Sequence, residues 1–115
     1  MRELSEIQDK LHQFCVDRDW KQFHTPKDSA ISLVLEATEF LEHFQWKNTD
    51  EIKEYLGKNK EDVADELADV FYWVLLLSHD LEIDLVKALE DKMAKNAKKY
   101  PVEKSKGNHK KYTEL

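Results

Sequence analysis

Residues 70–77 (VFYWVLLL) limit the folds open to this chain more than any other feature. A helix that is apolar on every side must be covered on all of its faces. Only two glycines and two prolines occur in 115 residues, and the chain contains no Asn-Gly or Asp-Gly hairpin signal. The sequence therefore predicts an all-α protein that holds this segment inside a helical bundle.

Start and stop signals divide the chain into four main helices and one short helix. Thr25 has the properties of an N-cap, Pro26 stands at the favoured first helical position, and Asp28 completes a T-x-x-D signal. Asp84 can cap the last helix, which stops before Tyr100 because the residue preceding a proline disfavours helix. The predicted helices cover about residues 2–18, 26–46, 50–56, 59–81 and 85–99. We expect a helical domain over residues 1–100 and a basic, polar, extended tail over residues 101–115.

The apolar segment at residues 70–77 needs more cover than so small a chain provides. Four further helices, one of them very short, are too few to enclose it. The chain is therefore expected to associate with other copies of itself. Symmetric dimers and dimers of dimers are the commonest solutions. We therefore expect a homo-oligomer, either a dimer or a homotetramer, whose assembly completes the helical core.

Two carboxylate pairs with the same spacing stand in apolar helical surroundings, Glu36-x-x-Glu39 and Glu66-x-x-Asp69. Residues three apart project from one helix face, so each pair concentrates negative charge. A carboxylate beside Leu, Val and Phe is costly unless a cation lies near, and no arginine accompanies these pairs. Oxygen-only ligands favour Mg²⁺ or Mn²⁺. Charged residues make up 37% of the chain, so solvated surface pairs remain an alternative.

The formal charge of −6 is unevenly distributed. Residues 92–111 contain eight lysines and one acidic residue, which leaves a charge of −13 for the rest of the chain. An acidic body repels phosphate backbones, so we expect no nucleic-acid partner, although a short basic segment can hold a small polyphosphate. No apolar run approaches the ~20 residues of a membrane span, and the charged N-terminus is not a secretory signal. The single Cys15 fits a reducing cytoplasm, where we expect the protein to be located.

Several longer segments accompany the acidic pairs. They are RDWKQFHTPK (residues 18–27), LEHFQWK (41–47), DELADV (65–70) and NAKKYPVEKSKG (96–107), followed by the terminal KYTEL. With these segments in this order, the chain resembles the MazG-type nucleoside triphosphate pyrophosphohydrolases. The resemblance is to the small single-domain branch that includes the dCTP pyrophosphatases, and it spans nearly the whole chain.

The resemblance implies an all-α NTP pyrophosphatase-like fold in which paired helices of two protomers build a four-helix core. It also implies hydrolysis of a (d)NTP, either dCTP or another dNTP, to the (d)NMP and pyrophosphate, with Mg²⁺ as the cofactor or Mn²⁺ in its place. Glu36, Glu39, Glu66 and Asp69 would hold the metal. Glu36 or Glu39 would also be catalytic, as the base that activates a water molecule.

The resemblance further implies a nucleotide pocket in which aromatic side chains surround the base and polar side chains surround the phosphates and sugar. The residues that match such positions are Trp20, Phe23, His24, Lys27, Trp46, Trp73, Asn96, Lys99 and Tyr100. Two positions depart from the pattern. Asp28 stands where Asn is common, and Trp73 stands where the dCTP pyrophosphatases have Tyr. Both departures touch the pocket rather than the metal, so they bear on the preferred base or sugar.

Two other functions fit parts of the sequence. A phosphoribosyl-ATP pyrophosphatase-like enzyme would keep the fold and change the substrate, but Trp20, His24 and Trp46 favour free nucleotides. A non-catalytic helical interaction module would leave the acidic pairs merely solvated. A di-iron carboxylate bundle is excluded, because it needs Glu-x-x-His pairs and no Glu in this chain has His three positions later.

Overall fold

A computed structural model describes residues 2–115, and within that range the chain forms helices and no strands. The predicted all-α class is confirmed, and the structure has four long helices and one short helix, although the short helix is not the one predicted over residues 50–56. The helices are α1 (Arg2–Asp17), α2 (Pro26–Glu42), α3 (Thr49–Asp80), α4 (Leu85–Lys99) and α5 (Val102–Ser105). Single 3₁₀ turns at Lys21–Phe23 and Tyr112–Glu114 complete the regular structure.

The chain divides into two compact units, an N-terminal unit that extends through Glu82 and a C-terminal unit that begins at Ile83. In the N-terminal unit, α2 and α1 both pack on α3. Few of the described side chains are buried, namely Cys15, Ser29, Val63, Leu75, Leu76 and Ser78. Gln8 fastens α1 to α3, because its Nε2 donates to Leu75 O at 3.0 Å and to Ser78 Oγ at 2.7 Å.

Local side-chain chemistry fixes where the main helices begin. The Thr25 hydroxyl accepts the backbone N–H of Asp28 at 3.1 Å, with Pro26 as the first residue of α2. The Asp84 carboxylate accepts the N–H of Lys87 at 3.1 Å and starts α4. Each cap satisfies a backbone donor that the first helical turn leaves unpaired. Both predicted caps are therefore confirmed, as is the end of α4 before Tyr100-Pro101.

Three predicted boundaries are wrong. The second helix ends at Glu42 instead of Trp46, because the chain turns there and Trp46 adopts a left-handed backbone with φ of 67°. The predicted helices over 50–56 and 59–81 form one element, α3, which runs through Gly57 because a single glycine costs only about 1 kcal/mol and packing outweighs it.

A bend in α3 marks the place where a helix start was predicted. Asn59 has a non-helical backbone (φ −124°, ψ 22°), and its Nδ2 donates to Tyr55 O at 3.1 Å. The capping box that starts this element lies earlier, at Asn48 and Glu51, which bond to each other's backbone N–H groups at 2.9 and 3.1 Å. Asn59 therefore closes a turn inside α3 and does not begin a new helix.

The C-terminal unit is more ordered than the sequence predicted. The segment after Tyr100 is not simply extended, because α5 begins after Pro101, whose fixed φ suits a helix start. Gly107 then reverses the chain with φ of 82°. Tyr112 meets the ring of Tyr100 edge-on, with centroids 6.0 Å apart, and Lys99 Nζ lies 4.8 Å from the Tyr112 ring centroid.

None of the helices described is both long enough and apolar enough to cross a bilayer.

Candidate metal centre

Helices α2 and α3 bring three glutamates together, which we call the carboxylate cluster: Glu36, Glu39 and Glu66. One carboxylate oxygen from each lies within 4.8 Å of the others. Glu36 and Glu39 are one turn apart on α2, and Glu66 faces them from α3. Glu66 thus lies close to Glu36 and Glu39 in space, although it follows them by 30 and 27 positions in the sequence.

In the carboxylate cluster, the pKa values of two glutamates are raised. Burial, above all, raises the pKa of Glu36 from its ordinary value of 4.5 to about 7. A hydrogen bond that protonated Glu36 donates to Glu39 contributes, as do the negative charges of Glu39, Asp69 and Glu66. The pKa of Glu66 is raised by the same kinds of effect, burial first, with a small opposing contribution from His43. Full ionisation of the cluster at neutral pH therefore favours a nearby cation.

The described residues, 2–115, supply no such cation by an ion pair. Among residues 2–115, no lysine, arginine or histidine forms an ion pair with a member of the carboxylate cluster. Glu36 Oε2 and Glu66 Oε2 are buried and have no hydrogen-bonding partner in the part of the chain described. Buried acceptors of this kind are costly when left unpaired. An all-oxygen donor set with two unpartnered oxygens fits a hard divalent metal ion.

The fourth predicted ligand, Asp69, stands slightly apart. It lies one turn after Glu66 on α3, with an exposed side chain, and its charge raises the pKa of both Glu36 and Glu66. Its oxygens fall outside the group that lies within 4.8 Å. The structure thus brings three of the four predicted ligands together and places the fourth within electrostatic reach.

A cavity of about 440 Å³ opens beside the carboxylate cluster, and three of its lining residues, Glu42, His43 and Tyr55, were not predicted as site residues from the sequence. His43 Nδ1 and Tyr55 Oη form a hydrogen bond of 2.6 Å across α2 and α3. His43 follows Glu39 by four positions, so helical spacing alone would have placed the two side chains on one face. Tyr55 carries no comparable sequence signal, because its contact depends on how the helices pack.

An aromatic pair lies further along α3. His24 and Trp73 meet edge to face, with ring centroids 5.3 Å apart. Trp73 follows Asp69 by four positions and Glu66 by seven, so it shares their helix face at a rise of about 6–10 Å. Burial lowers the pKa of His24, the charge of Lys21 adds to this effect, and Asp80 partly opposes it. A neutral imidazole beside an indole edge can both stack on a base and hydrogen-bond to it.

The remaining predicted pocket residues belong to several elements of the two units. Trp20 packs edge-on against Phe14, with ring centroids 5.7 Å apart, and Phe23 and Trp46 are exposed, Trp46 by 91%. Lys27 is exposed in the first turn of α2. Asn96, Lys99 and Tyr100 belong to the C-terminal unit, where the carbonyl of Asn96 accepts the N–H of Tyr100 at 2.8 Å.

Comparisons with known proteins identify related sequences and a related structure. Residues 31–115 match the MazG-like family. The dCTP pyrophosphatase 1 of Rattus norvegicus is 39% identical over 109 residues, and that of Homo sapiens is 35% identical over the same length. Each alignment covers 92% of this chain and 64% of the relative, so the chain spans a little under two thirds of those proteins. A crystal structure of a pyrophosphatase from Archaeoglobus fulgidus DSM 4304 superposes with a TM-score of 0.83 at 41% identity, covering 86% of this chain and 93% of that one.

Proposed function

This chain belongs to the MazG-like family, and on that premise we propose that it hydrolyses nucleoside triphosphates to the monophosphate and pyrophosphate with Mg²⁺. The observation that carries the proposal is the carboxylate cluster, in which Glu36, Glu39 and Glu66 converge and form no ion pair with a cationic side chain in the part of the chain described. Dense oxygen ligation of this kind suits Mg²⁺, with Mn²⁺ as a substitute.

Each acidic residue has a role in the proposed reaction. Glu36, Glu39, Glu66 and Asp69 would hold the metal, which would supply positive charge to offset the negative charge of the triphosphate in the transition state. Glu36 or Glu39 keeps one oxygen for a water molecule and accepts its proton during attack on the α-phosphorus.

The aromatic residues provide the proposed base recognition. Trp73 and His24 lie along the helix face that carries Glu66, and Trp20, Phe23 and Trp46 add exposed aromatic surface. Stacking of a base on such rings contributes ~1–3 kcal/mol. Relatives that are named dCTP pyrophosphatase 1 support dCTP or another dNTP as the substrate. Lys27, Asn96, Lys99 and Tyr100 would bind its phosphates and sugar.

We also propose that the protein is a homo-oligomer, either a dimer or a dimer of dimers. The support is the apolar surface along α3, where Leu67 and Phe71 remain about half exposed. A shallow depression there is lined only by apolar residues, namely Ala64, Leu67, Ala68, Val70, Phe71 and Val74. A second copy would cover this surface. Three further predictions are kept. They are a helical domain over residues 1–100 with a basic tail, a cytoplasmic location and the absence of a nucleic-acid partner.

Product analysis tests the proposed reaction. The full chain, incubated with Mg²⁺ and a panel of standard and modified triphosphates, is expected to release a nucleoside monophosphate and pyrophosphate in phosphorus NMR spectra. A nucleoside diphosphate with orthophosphate would contradict attack at the α-phosphorus.

Substitution of the acidic residues tests the site. Glu39→Gln and Asp69→Asn are each expected to lower turnover by about 100-fold or more, because each removes a carboxylate that would hold the metal, and the metal offsets the negative charge of the transition state. The gel-filtration volume should not change. Glu61→Gln, at an exposed position on the same helix as Asp69, is the matched control and should keep full activity. Full activity in both site variants would refute the proposed centre and favour a non-catalytic interaction module.

A further inference from the structure

A second group of potential metal ligands lies where α1 meets the end of α3, and we call it the histidine cluster: His12, His79 and Asp80. One ring nitrogen of each histidine and one carboxylate oxygen of Asp80 lie within 4.8 Å of one another. The imidazoles of His12 and His79 stack with centroids 4.3 Å apart and planes inclined by 27°. His12 comes from α1, while His79 and Asp80 are the last two residues of α3.

The hydrogen bonds of the histidine cluster leave ligand atoms unused. His12 Nδ1 is buried and has no hydrogen-bonding partner among residues 2–115, and an unpaired buried polar atom destabilises the fold. His79 Nδ1 lies 3.3 Å from Asp80 Oδ1. When Nδ1 of His79 donates to this carboxylate, its Nε2 carries the lone pair that a metal needs. Stacking therefore explains the ring packing but not the unpaired nitrogen.

We propose that His12, His79 and Asp80 form a second metal site, separate from the carboxylate cluster, for a borderline transition metal such as Zn²⁺. Two imidazole nitrogens and one carboxylate oxygen, with a fourth position left to solvent, are a donor set that Zn²⁺ takes in proteins. Mg²⁺ prefers oxygen ligands, so the two sites differ in the class of metal that they select.

Lys21 is the natural competitor of a metal at this site. Its Nζ contacts both carboxylate oxygens of Asp80, at 2.6 and 2.7 Å. A bound Zn²⁺ would take one of these oxygens and would also face the lysine charge, so Lys21 sets the affinity. The metal would join α1 to α3 near the hydrogen bonds that Gln8 makes. We therefore expect Zn²⁺ to raise the melting temperature of the chain.

Metal titration of the full chain tests the site and does not depend on nucleotide hydrolysis. Zn²⁺ affinity is measured by calorimetry, and Co²⁺ is used as a visible-absorption probe, both with excess Mg²⁺ present so that the carboxylate cluster is not the main target. His12→Phe and His79→Phe keep an aromatic ring for stacking and remove the nitrogens. Each should weaken Zn²⁺ binding at least tenfold and abolish the tetrahedral Co²⁺ spectrum. His109→Phe, at an exposed position in the C-terminal unit, is the matched control and should bind as the unaltered chain does.

Two more variants decide between the sites. Lys21→Met should tighten Zn²⁺ binding several-fold, because it removes the competing cation, and this result is informative even when the histidine variants do not fold. Glu39→Gln should leave the zinc signal unchanged. Zinc binding that is lost in Glu39→Gln, or that is equal in His12→Phe, Lys21→Met and the unaltered chain, would overturn the proposal.

Discussion

In two regions of α3 the pKa of a carboxyl group is shifted in opposite directions. Near the middle of the helix, burial and neighbouring acids raise the pKa of Glu66, as they do that of Glu36 on α2. At the end of the helix, burial alone would raise the pKa of Asp80, but hydrogen bonds from Lys21 and His79 outweigh it and lower that pKa below its ordinary value. The difference is whether the chain provides its own cation. Where the described residues provide none, as at Glu36, Glu39 and Glu66, the proposed metal ion would supply the positive charge.

Placing a cationic side chain inside the carboxylate cluster should remove the difference between the two regions. Of the changes considered, it should have the largest effect on activity. Glu66→Lys would neutralise Glu36 and Glu39 from within, so we expect Mg²⁺ to lose its effect on melting temperature and turnover to fall by about 100-fold or more. Thermal unfolding with and without Mg²⁺, together with an activity assay, measures both. Glu61→Lys makes the same charge change at an exposed position of α3 and should leave both readouts intact. A Glu66→Lys variant that still responds to Mg²⁺ would show that the cluster does not bind the metal.

Removing charge from the two regions should change stability in opposite directions. In EDTA at pH 8, Glu36→Gln should raise the free energy of unfolding, because it relieves repulsion among the acids. Lys21→Met should lower it by about 1–3 kcal/mol, because Asp80 loses a charged hydrogen bond. Lys21 and Asp80 are only 25% and 20% exposed, so solvent does not replace the lost partner.

Urea unfolding of both variants measures this difference. Lys87→Met is the matched control, since Lys87 and Asp91 form a well-exposed ion pair of 2.7 Å whose loss should cost about 0.5 kcal/mol or less. Equal destabilisation by Glu36→Gln and Lys21→Met would contradict the distinction between the two regions.

The pH dependence of stability should also differ between the two regions. The expected effect is smaller, a change of a few degrees in melting temperature. Glu36 has a raised pKa, so its contribution to stability is fully present below 4.5 and is lost as the pH rises through about 7. Asp80 has a lowered pKa, so its contribution is present above 3.8 and is lost as the pH falls through its lower value in the folded protein.

Melting temperatures in EDTA should therefore fall between about pH 5 and pH 8, and added Mg²⁺ should restore more of the loss at pH 8 than at pH 5. Glu36→Gln should flatten this part of the curve and serves as the control. A Mg²⁺ effect that is equal at both pH values would count against proton and metal competition at Glu36.

The sequence predicted those features that depend on neighbours along the chain. The caps at Thr25 and Asp84 need only a side-chain oxygen and an N–H three residues later. The convergence of Glu36, Glu39 and Glu66 followed from helical spacing together with the resemblance to a known family.

The sequence did not predict features that depend on packing between helices. The continuous α3 overrides the glycine at residue 57, and the stacked His12 and His79 are 67 positions apart. The bond between His43 and Tyr55 likewise depends on how α2 lies against α3. No periodicity within one helix encodes such contacts, because they require the register of one helix against another.

The left-handed backbone of Trp46 has a consequence for how the chain can evolve. A bulky residue at positive φ carries about 1–3 kcal/mol of strain, which glycine would release. Selection for heat resistance alone should therefore favour glycine at this position, since the indole is 91% exposed and contributes little packing within one chain. Retention of tryptophan here would indicate that selection for function has outweighed selection for thermostability at this position.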